Sequence, residues 1–197
     1  MFSRIIRRTH MYLALMLSPW MLMYALSTMA MNHRGFFREM YGGTAIAFEK
    51  EREQPYVLAL AADAEPRRIA EQVLKDLDLE GAFAARKVQN GSIVVQRLDP
   101  IYPRRITWSP SEGRLVLERE VFRTPAFLER MHRRRGFQHD FALEDAWAFS
   151  VDLVIVAMIF WVASGLWMWW ELRSTRALGA LCFAGGILVF LFFIFTI

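Results

Sequence analysis

Three long apolar runs and one polar stretch divide the chain. The apolar runs are Met11–Met31, Ala146–Trp170 and Leu178–Ile197. Each is about as long as the ~20 residues that an α-helix needs to cross a bilayer. Between the first two runs lies Asn32–Asp145, a segment of 114 residues with 19 Lys and Arg and 18 Asp and Glu. The pattern predicts a membrane protein with three transmembrane helices and an inserted, water-exposed domain.

The first apolar run could be a transmembrane anchor or a cleaved signal peptide, since both begin with basic residues. The run is long for a signal peptide, it contains Pro19 and Trp20, and no small-residue cleavage site follows it before Asn32. We therefore expect an uncleaved anchor.

The short polar segments predict the orientation. Residues 1–10 carry Arg4, Arg7 and Arg8 without an acidic residue, and the segment Glu171–Ala177 carries two more arginines. The positive-inside rule places both segments in the cytoplasm. Residues 32–145 are then periplasmic, in a protein of the bacterial inner membrane.

Composition narrows the classes of function. The net charge is +4, but the polar segment is nearly neutral, so the basic excess lies at the membrane edges and does not indicate a nucleic-acid partner. Cys182 is the single cysteine and lies in the third apolar run, which excludes a disulfide framework and a thiolate metal site.

Within the polar segment, periodicity and turn signals predict a small α+β domain. Apolar residues recur at helical spacing after Pro66, and Asn90–Gly91 between two β-rich runs is a strong hairpin signal. The predicted elements are a helix over Glu65–Leu79, strands over Phe83–Val88, Ser92–Leu98, Arg104–Trp108 and Arg114–Phe122, a further candidate strand over Pro55–Ala61, and a helix from Pro125 to about Arg135 that Thr124 caps.

The order of these elements resembles a PepSY-type domain, and the flanking runs resemble the PepSY-associated transmembrane helix family. In place of the glycine that the family often has after its first-span serine, this chain has Thr28. The motifs that carry the resemblance are Arg8–Leu13 (RTHMYL), Tyr24–Ser27 (YALS), Leu128–Arg133 with its Met131–His132 pair, and Ser164–Trp170 (SGLWMWW).

The resemblance implies two functions. The first is that of an accessory protein, which presents its extracytoplasmic domain to a protein or peptide partner. Larger relatives are associated with haem-dependent reduction of iron–siderophore complexes. The alternative is therefore a membrane electron-transfer subunit with one haem b held by two histidines.

The four histidines are the candidates for haem ligation. A bis-histidine haem needs two imidazoles at one depth on facing segments. His33 and His132 meet this condition near the outer membrane face, with His139 as the alternative second ligand. His10 lies at the cytoplasmic end of the first span, where no second histidine occurs, so we read it as an interfacial residue.

Asp152 lies about five residues inside the second apolar run. An ionisable group at this depth needs a partner, because its burial in lipid is costly. One reading makes Asp152 the acceptor that orients a histidine ring of the haem site. The other reading makes it an interfacial carboxylate bonded to Ser150 or to an arginine of the polar domain.

Other kinds of site find less support. The histidines His33, His132 and His139 with Asp140 do not follow the usual spacing of zinc ligands, so we predict no metal site. Ser164 is predicted to be buried in a helix with no histidine near it, and no catalytic set is predicted.

A basic segment precedes the second apolar run. We expect it to contact anionic lipid headgroups or a partner, since basic residues at a membrane edge attract anionic lipid. Its residues are Arg130, Arg133, Arg134 and Arg135.

Overall fold

The computed structural model describes residues 2–58, 64–134 and 136–197. Its residues form two compact units. The helical unit consists of residues 1–21 and 151–197. The sheet unit consists of residues 22–150.

Six α-helices and five strands make up the described part of the chain. They are α1 (Phe2–Asn32), α2 (Arg34–Met40), β1 (Phe48–Pro55), α3 (Pro66–Asp76), β2 (Phe83–Lys87), β3 (Ile93–Arg97), β4 (Arg104–Ser109), β5 (Arg114–Glu120), α4 (Thr124–Arg133), α5 (Ala142–Glu171) and α6 (Arg176–Thr196). A short 3-10 helix, Arg173–Thr175, precedes α6.

Three helical segments are long and apolar enough to cross a membrane: Phe2–Asn32, Ala142–Glu171 and Arg173–Thr196. They contain the three predicted apolar runs, apart from the last residue of the chain. In the helical unit, Leu17 of α1 is buried with Val154 and Ala157 of α5. Many other large apolar side chains of these helices are exposed, as lipid-facing side chains are when the bilayer is absent.

All five strands form one antiparallel sheet in the order β1-β5-β4-β3-β2. Alternate residues of the central strands point to the same face, and α3 covers that face with a stripe of apolar side chains. Its buried residues are Ile69, Ala70, Val73 and Leu74 from α3, with Ile93, Val95, Ile106, Trp108, Leu115 and Leu117 from the sheet.

The structure confirms most predicted elements of the sheet unit. The helix after Glu65 and both hairpins occur within three residues of their predicted ends. The strand predicted over Pro55–Ala61 is wrong for Tyr56–Leu58, which are not strand, while Ala59–Ala61 lie outside the described residues. The strand at this point of the chain is instead β1, which ends at Pro55.

β1 was not predicted from the sequence, because it is an exposed edge strand. Its sequence FEKEREQP has almost no apolar alternation, and its pairing with β5 holds it in the sheet. α2 was not predicted either. The predicted cap at Thr124 is wrong, because Thr124 is already helical, Arg123 occupies the N-cap position, and no side chain there makes a capping hydrogen bond.

Candidate ligand-binding cavity

The sheet unit contains a cavity of about 800 Å³ on the sheet face opposite α3. Its walls come from this face, from α2 and α4, from the last turn of α1 and from the first turn of α5. Nine arginines and four carboxylates line it, together with the rings of Phe37, Tyr41 and Phe48. Such a composition favours an anionic ligand that also has apolar surface.

Five of these arginines, the paired arginines, are neutralised by nearby carboxylates. Arg105 also lies over the ring of Phe48, 4.0 Å from its centroid, and its hydrogen bond to Glu118 raises the pKa of the guanidinium. The five ion pairs are Arg97–Asp99 (3.2 Å), Arg104–Glu51 (2.9 Å), Arg105–Glu118 (2.7 Å), Arg130–Glu120 and Arg134–Glu144 (3.5 Å).

Two of the paired arginines are internal parts of the sheet unit. The side chains of Arg130 and Arg134 are 22% and 15% exposed, and their partners Glu120 and Glu144 are 8% and 3% exposed. Each guanidinium also donates to a backbone carbonyl after β3, at 3.0 and 3.2 Å. Because the charges of Arg130 and Glu120 are desolvated together, loss of Arg130 would leave Glu120 buried and unpaired, whereas Glu144 would still have His139 if Arg134 were lost.

The other four arginines, the outer arginines, have one carboxylate among them. Arg34 and Arg133 share Glu129, with Arg133 at 3.1 Å. Arg38 is exposed and makes no ion pair within the described residues. Arg123 donates to a backbone carbonyl rather than to a carboxylate. The outer arginines therefore carry an excess positive charge in the wall formed by α2 and α4.

The basic segment predicted to contact lipid or a partner is divided by the fold. Arg130 and Arg134 form the internal pairs, whereas the side chain of Arg133 is 61% exposed. Arg135 lies outside the described residues. Contact of this segment with lipid stays a prediction, and Arg133 is its most accessible described member.

His139 lines the cavity and is held in place by Glu144. Its Nδ1 lies 2.6 Å from one carboxylate oxygen of Glu144, and Arg134 approaches the other oxygen. Glu144 is almost fully buried, so this carboxylate anchors two basic side chains at the start of α5. The sequence alone left the direction of His139 open, since the residue lies outside any predicted helix.

His132 is part of a hydrogen-bonded pair with Ser27, whose side chain is fully buried. The two atoms Ser27 Oγ and His132 Nδ1 are 2.7 Å apart, and the ring of Tyr24 packs edge-on against the imidazole at 5.1 Å. The Ser27 hydroxyl donates its one proton to the Tyr24 carbonyl, at 2.8 Å. His132 Nδ1 must therefore donate to Ser27 Oγ, which leaves Nε2 as the other ring nitrogen.

His10 and Ser164 form a similar pair in the helical unit. His10 Nδ1 lies 2.9 Å from Ser164 Oγ and 3.2 Å from the Trp161 carbonyl, and its ring stacks on Trp161. Since the Ser164 hydroxyl also donates to that carbonyl, Nδ1 carries the proton. A Cβ at position 165 would lie 3.3 Å from His10 Cε1, so Gly165 permits the close approach.

The prediction that no histidine lies near Ser164 is therefore wrong. The error has a physical source, because 154 residues of sequence separate the two side chains that α1 and α5 bring together. Two of the motifs that carry the family resemblance, RTHMYL and SGLWMWW, meet at this pair. The other two, YALS and the segment with Met131–His132, meet at Ser27 and His132.

The remaining predicted site residues are not brought into a cluster. His33 is exposed at the N-cap position of α2, and Asp140 pairs with Arg67 at 2.5 Å. Asp152 is exposed on α5. The predicted bond from Ser150 to Asp152 is wrong, because the Ser150 hydroxyl donates to the Trp147 carbonyl at 2.7 Å. Among the described residues, no group of three or more histidines, cysteines or carboxylates is placed to hold a metal ion.

The residues available for haem fit that group only in part. His132 would offer Nε2 to the iron if haem were bound, because its Nδ1 is held by Ser27. The cavity, however, is lined by His139 and by neither His33 nor His132. Ligation of haem by His33 and His132, and orientation of a ring by Asp152, stay predictions.

Sequence reasoning missed the cavity and three of its outer arginines, Arg34, Arg38 and Arg123, whereas Arg133 belonged to the predicted basic segment. Arg34 and Arg38 lie within six residues of the end of α1, and their spacing of four places them on one side of α2. This signal was available, but it needed the prediction of a seven-residue helix that has little periodicity of its own.

The spans and the sheet define a membrane protein with three helices able to cross the bilayer and a five-stranded antiparallel sheet, whose strands follow the first of these helices and precede the second in the sequence. The chain belongs to the PepSY_TM-like family, whose model matches residues 1–197. This confirms the resemblance that the four motifs carry. No curated protein and no solved structure showed significant similarity to the chain.

Proposed function

We propose that the chain is an inner-membrane accessory protein without hydrolytic activity. It presents its sheet unit outside the cytoplasm to a protein or peptide partner. Membership of the PepSY_TM-like family supports an interaction module on membrane helices. The observation that carries the proposal is the free edge of β2, to which an extended segment of the partner can add a strand.

The two edges of the sheet differ in how well they are protected. β1 has an irregularity between Lys50 and Arg52, ends in Pro55 and carries five charged residues, all of which hinder the addition of another strand. β2 pairs regularly with β3 along its whole length and contains no proline. The open edge is therefore the edge at β2.

The register identifies the backbone groups that a partner strand would meet. Ala82 accepts from the N–H of Leu98, and Ser92 accepts from the N–H of Val88. In an antiparallel pair, hydrogen-bonded and non-hydrogen-bonded positions alternate, so Ala84 and Arg86 bond to β3. The backbone groups of Phe83, Ala85 and Lys87 point away from β3. Within the described sheet, these groups have no strand beside them.

Replacement of Ala85 by proline tests the role of this edge. Proline removes the outward N–H of residue 85 and leaves the hydrogen bonds of residues 84 and 86 to β3 intact. A photo-crosslinking residue at position 84, introduced into the full chain in cells, should give a defined protein adduct that Ala85→Pro abolishes. A crosslinker at Glu53 on β1 is the matched control and should give none.

Retention of the adduct by a folded Ala85→Pro chain would overturn binding at the β2 edge, and so would an equal adduct from Glu53. The melting temperature of the purified variant in detergent shows whether the chain is folded. If it is not, Lys87→Pro provides the same test at the end of the strand.

The orientation in this proposal follows from the arginines near the helix ends. Arg4, Arg7 and Arg8 precede the apolar part of α1. Arg173 lies between α5 and α6, and Arg176 is the first residue of α6. Both groups face the cytoplasm under the positive-inside rule. A periplasm-active reporter fused after residue 100 should be active and one fused after residue 175 inactive. The reverse pattern would overturn the orientation.

The hydrogen bonds of the two serine–histidine pairs support a non-hydrolytic role. A nucleophilic serine donates its proton to a histidine that acts as base. In this chain Ser27 and Ser164 donate to carbonyls of their own helices, and His132 and His10 donate to the serines. Neither serine is placed to be activated by its histidine.

A further inference from the structure

We propose that the outer arginines bind the phosphate of an anionic phospholipid headgroup at the cavity wall formed by α2 and α4. This site is independent of the partner site at β2. It also differs from general attraction of a basic segment to the membrane, because it depends on four particular side chains: Arg34, Arg38, Arg123 and Arg133.

The first reason is the unbalanced charge. The paired arginines have their own carboxylates and gain little from a further anion. The outer arginines have only Glu129, so an anion among them meets a net positive wall. Guanidinium groups bind phosphate oxygens through two parallel hydrogen bonds, which makes arginine well suited to a phosphodiester.

The second reason is the place of the cavity along the membrane helices. Ala30, in the last turn of α1, and Glu144, in the first turn of α5, both line the cavity. These two helices can span a membrane, and at about 1.5 Å per residue they exceed the ~30 Å hydrocarbon core. The lining residues therefore belong to helix ends, where phospholipid headgroups are found.

The third reason is the form of α2. This helix begins two residues after the end of α1 and carries Arg34 and Arg38, while Phe36 and Met40 are exposed large apolar residues. Basic and apolar side chains on one short helix next to a span are typical of a segment in the headgroup layer. An acidic peptide would use the arginines but would leave Phe36 and Met40 in water.

The cavity also has apolar surface for the part of the lipid beyond its phosphate. Phe37 and Tyr41 line it on the α2 side, and the guanidinium of Arg123 lies 4.7 Å from the centre of the Tyr41 ring. A soluble phosphate has no apolar part that could contact this surface. Phosphatidylglycerol, with one negative charge and two acyl chains, meets both requirements.

The test uses the full chain in nanodiscs of phosphatidylcholine that contain a minor fraction of phosphatidylglycerol. After extraction into neutral detergent, native mass spectrometry counts the phosphatidylglycerol molecules retained per chain. The unmodified chain should retain about one. Joint replacement of Arg34, Arg38 and Arg133 by glutamine should lower the retention by about tenfold or more, since each arginine contributes to headgroup attraction.

A matched control removes the same charge elsewhere on the sheet unit. Arg52, Arg68 and Arg86 are exposed, lie outside the cavity and make no ion pair within the described residues. Their joint replacement by glutamine should leave retention unchanged. An equal loss in both triple variants would show that net charge alone holds the lipid, and would overturn the site. Circular dichroism of each variant checks that the helices and sheet are retained.

Two competitors separate the lipid from other anions. Glycerol phosphate at millimolar concentration should not displace the lipid, and displacement would assign the site to a soluble phosphate ester. An oligoglutamate peptide should also fail to displace it. Displacement by the peptide that depends on Arg34, Arg38 and Arg133 would assign the wall to an acidic protein segment and overturn the lipid proposal. The crosslink from position 84 would be unaffected, so failure here is distinguishable from failure of the proposed function.

Discussion

The paired and the outer arginines of the cavity have the same chemistry and opposite surroundings. Arg130, with Glu120 and a backbone carbonyl around it, is part of the interior of the sheet unit. Arg133, three residues later on the same helix, is mostly exposed and shares its only carboxylate with Arg34. The position of an arginine on the helix thus decides whether its charge stabilises the fold or stays available for a ligand. A run of basic residues in the sequence does not show this difference.

Arg130→Ala should have the largest effect on stability, because it leaves the carboxylate of Glu120 buried without a partner. We expect a loss of about 3–5 kcal/mol in the free energy of unfolding. Arg133→Ala should cost less than about 1 kcal/mol, since exposed ion pairs contribute little. Denaturant unfolding of the sheet unit within the full chain in detergent, followed by tryptophan fluorescence, measures both. Equal losses for the two variants would contradict the division into paired and outer arginines.

Glu129→Gln changes the surroundings of the outer arginines and leaves the paired arginines as they are. It removes the one carboxylate that Arg34 and Arg133 share, so the positive charge of this wall increases. We expect retention of phosphatidylglycerol to rise a few-fold, on the order of 1 kcal/mol, with a similarly small change in stability. Glu112→Gln is the control, because Glu112 pairs with Arg114 away from the cavity. A rise in both variants, or in neither, would count against the outer arginines as the lipid site.

How far the sequence predicts this molecule depends on the range of the interactions involved. The three spans, α3 and the two hairpins have local signals: apolar length, helical spacing and turn residues such as Asn90–Gly91. β1 has none, because its strand state comes from pairing with residues of β5 that lie 59 to 72 positions later in the sequence. The strand preference of such a segment depends on its neighbours in the sheet more than on its own residues.

The site was harder to predict than the fold. The sequence shows the histidines, but it does not show which residues bond to them. Ser27 lies 105 residues from its partner His132, and Ser164 lies 154 residues from its partner His10. The motifs of the family already contained all four of these residues. Their pairing required two helices whose facing sides the apolar runs do not distinguish, because both runs are hydrophobic all round.

The smallest expected effect concerns Asp99, the partner of Arg97 at the cavity wall. Partial burial tends to raise the pKa of the Asp99 carboxyl. The backbone N–H groups of Tyr102 and Ile101 donate to this carboxyl, at 2.8 and 2.9 Å. Together with the nearby arginines, these hydrogen bonds hold the pKa of Asp99 below its usual value. A carboxyl with a lowered pKa in the folded state stabilises the fold above its unfolded pKa of about 3.9, and this contribution is lost as the pH falls through the folded pKa.

Asp99→Asn should therefore lower the free energy of unfolding by about 1 kcal/mol at pH 7. The difference between the two proteins should shrink below about pH 4 and disappear at lower pH, because the carboxyl of Asp99 is then protonated in the folded state as well. Denaturant unfolding at a series of pH values measures this directly. Asp140→Asn is the comparison, since the Asp140 side chain is 90% exposed and its single ion pair to Arg67 should contribute little at any pH. A difference for Asp99→Asn that stayed constant down to pH 2 would show that the carboxylate charge plays no part in this turn.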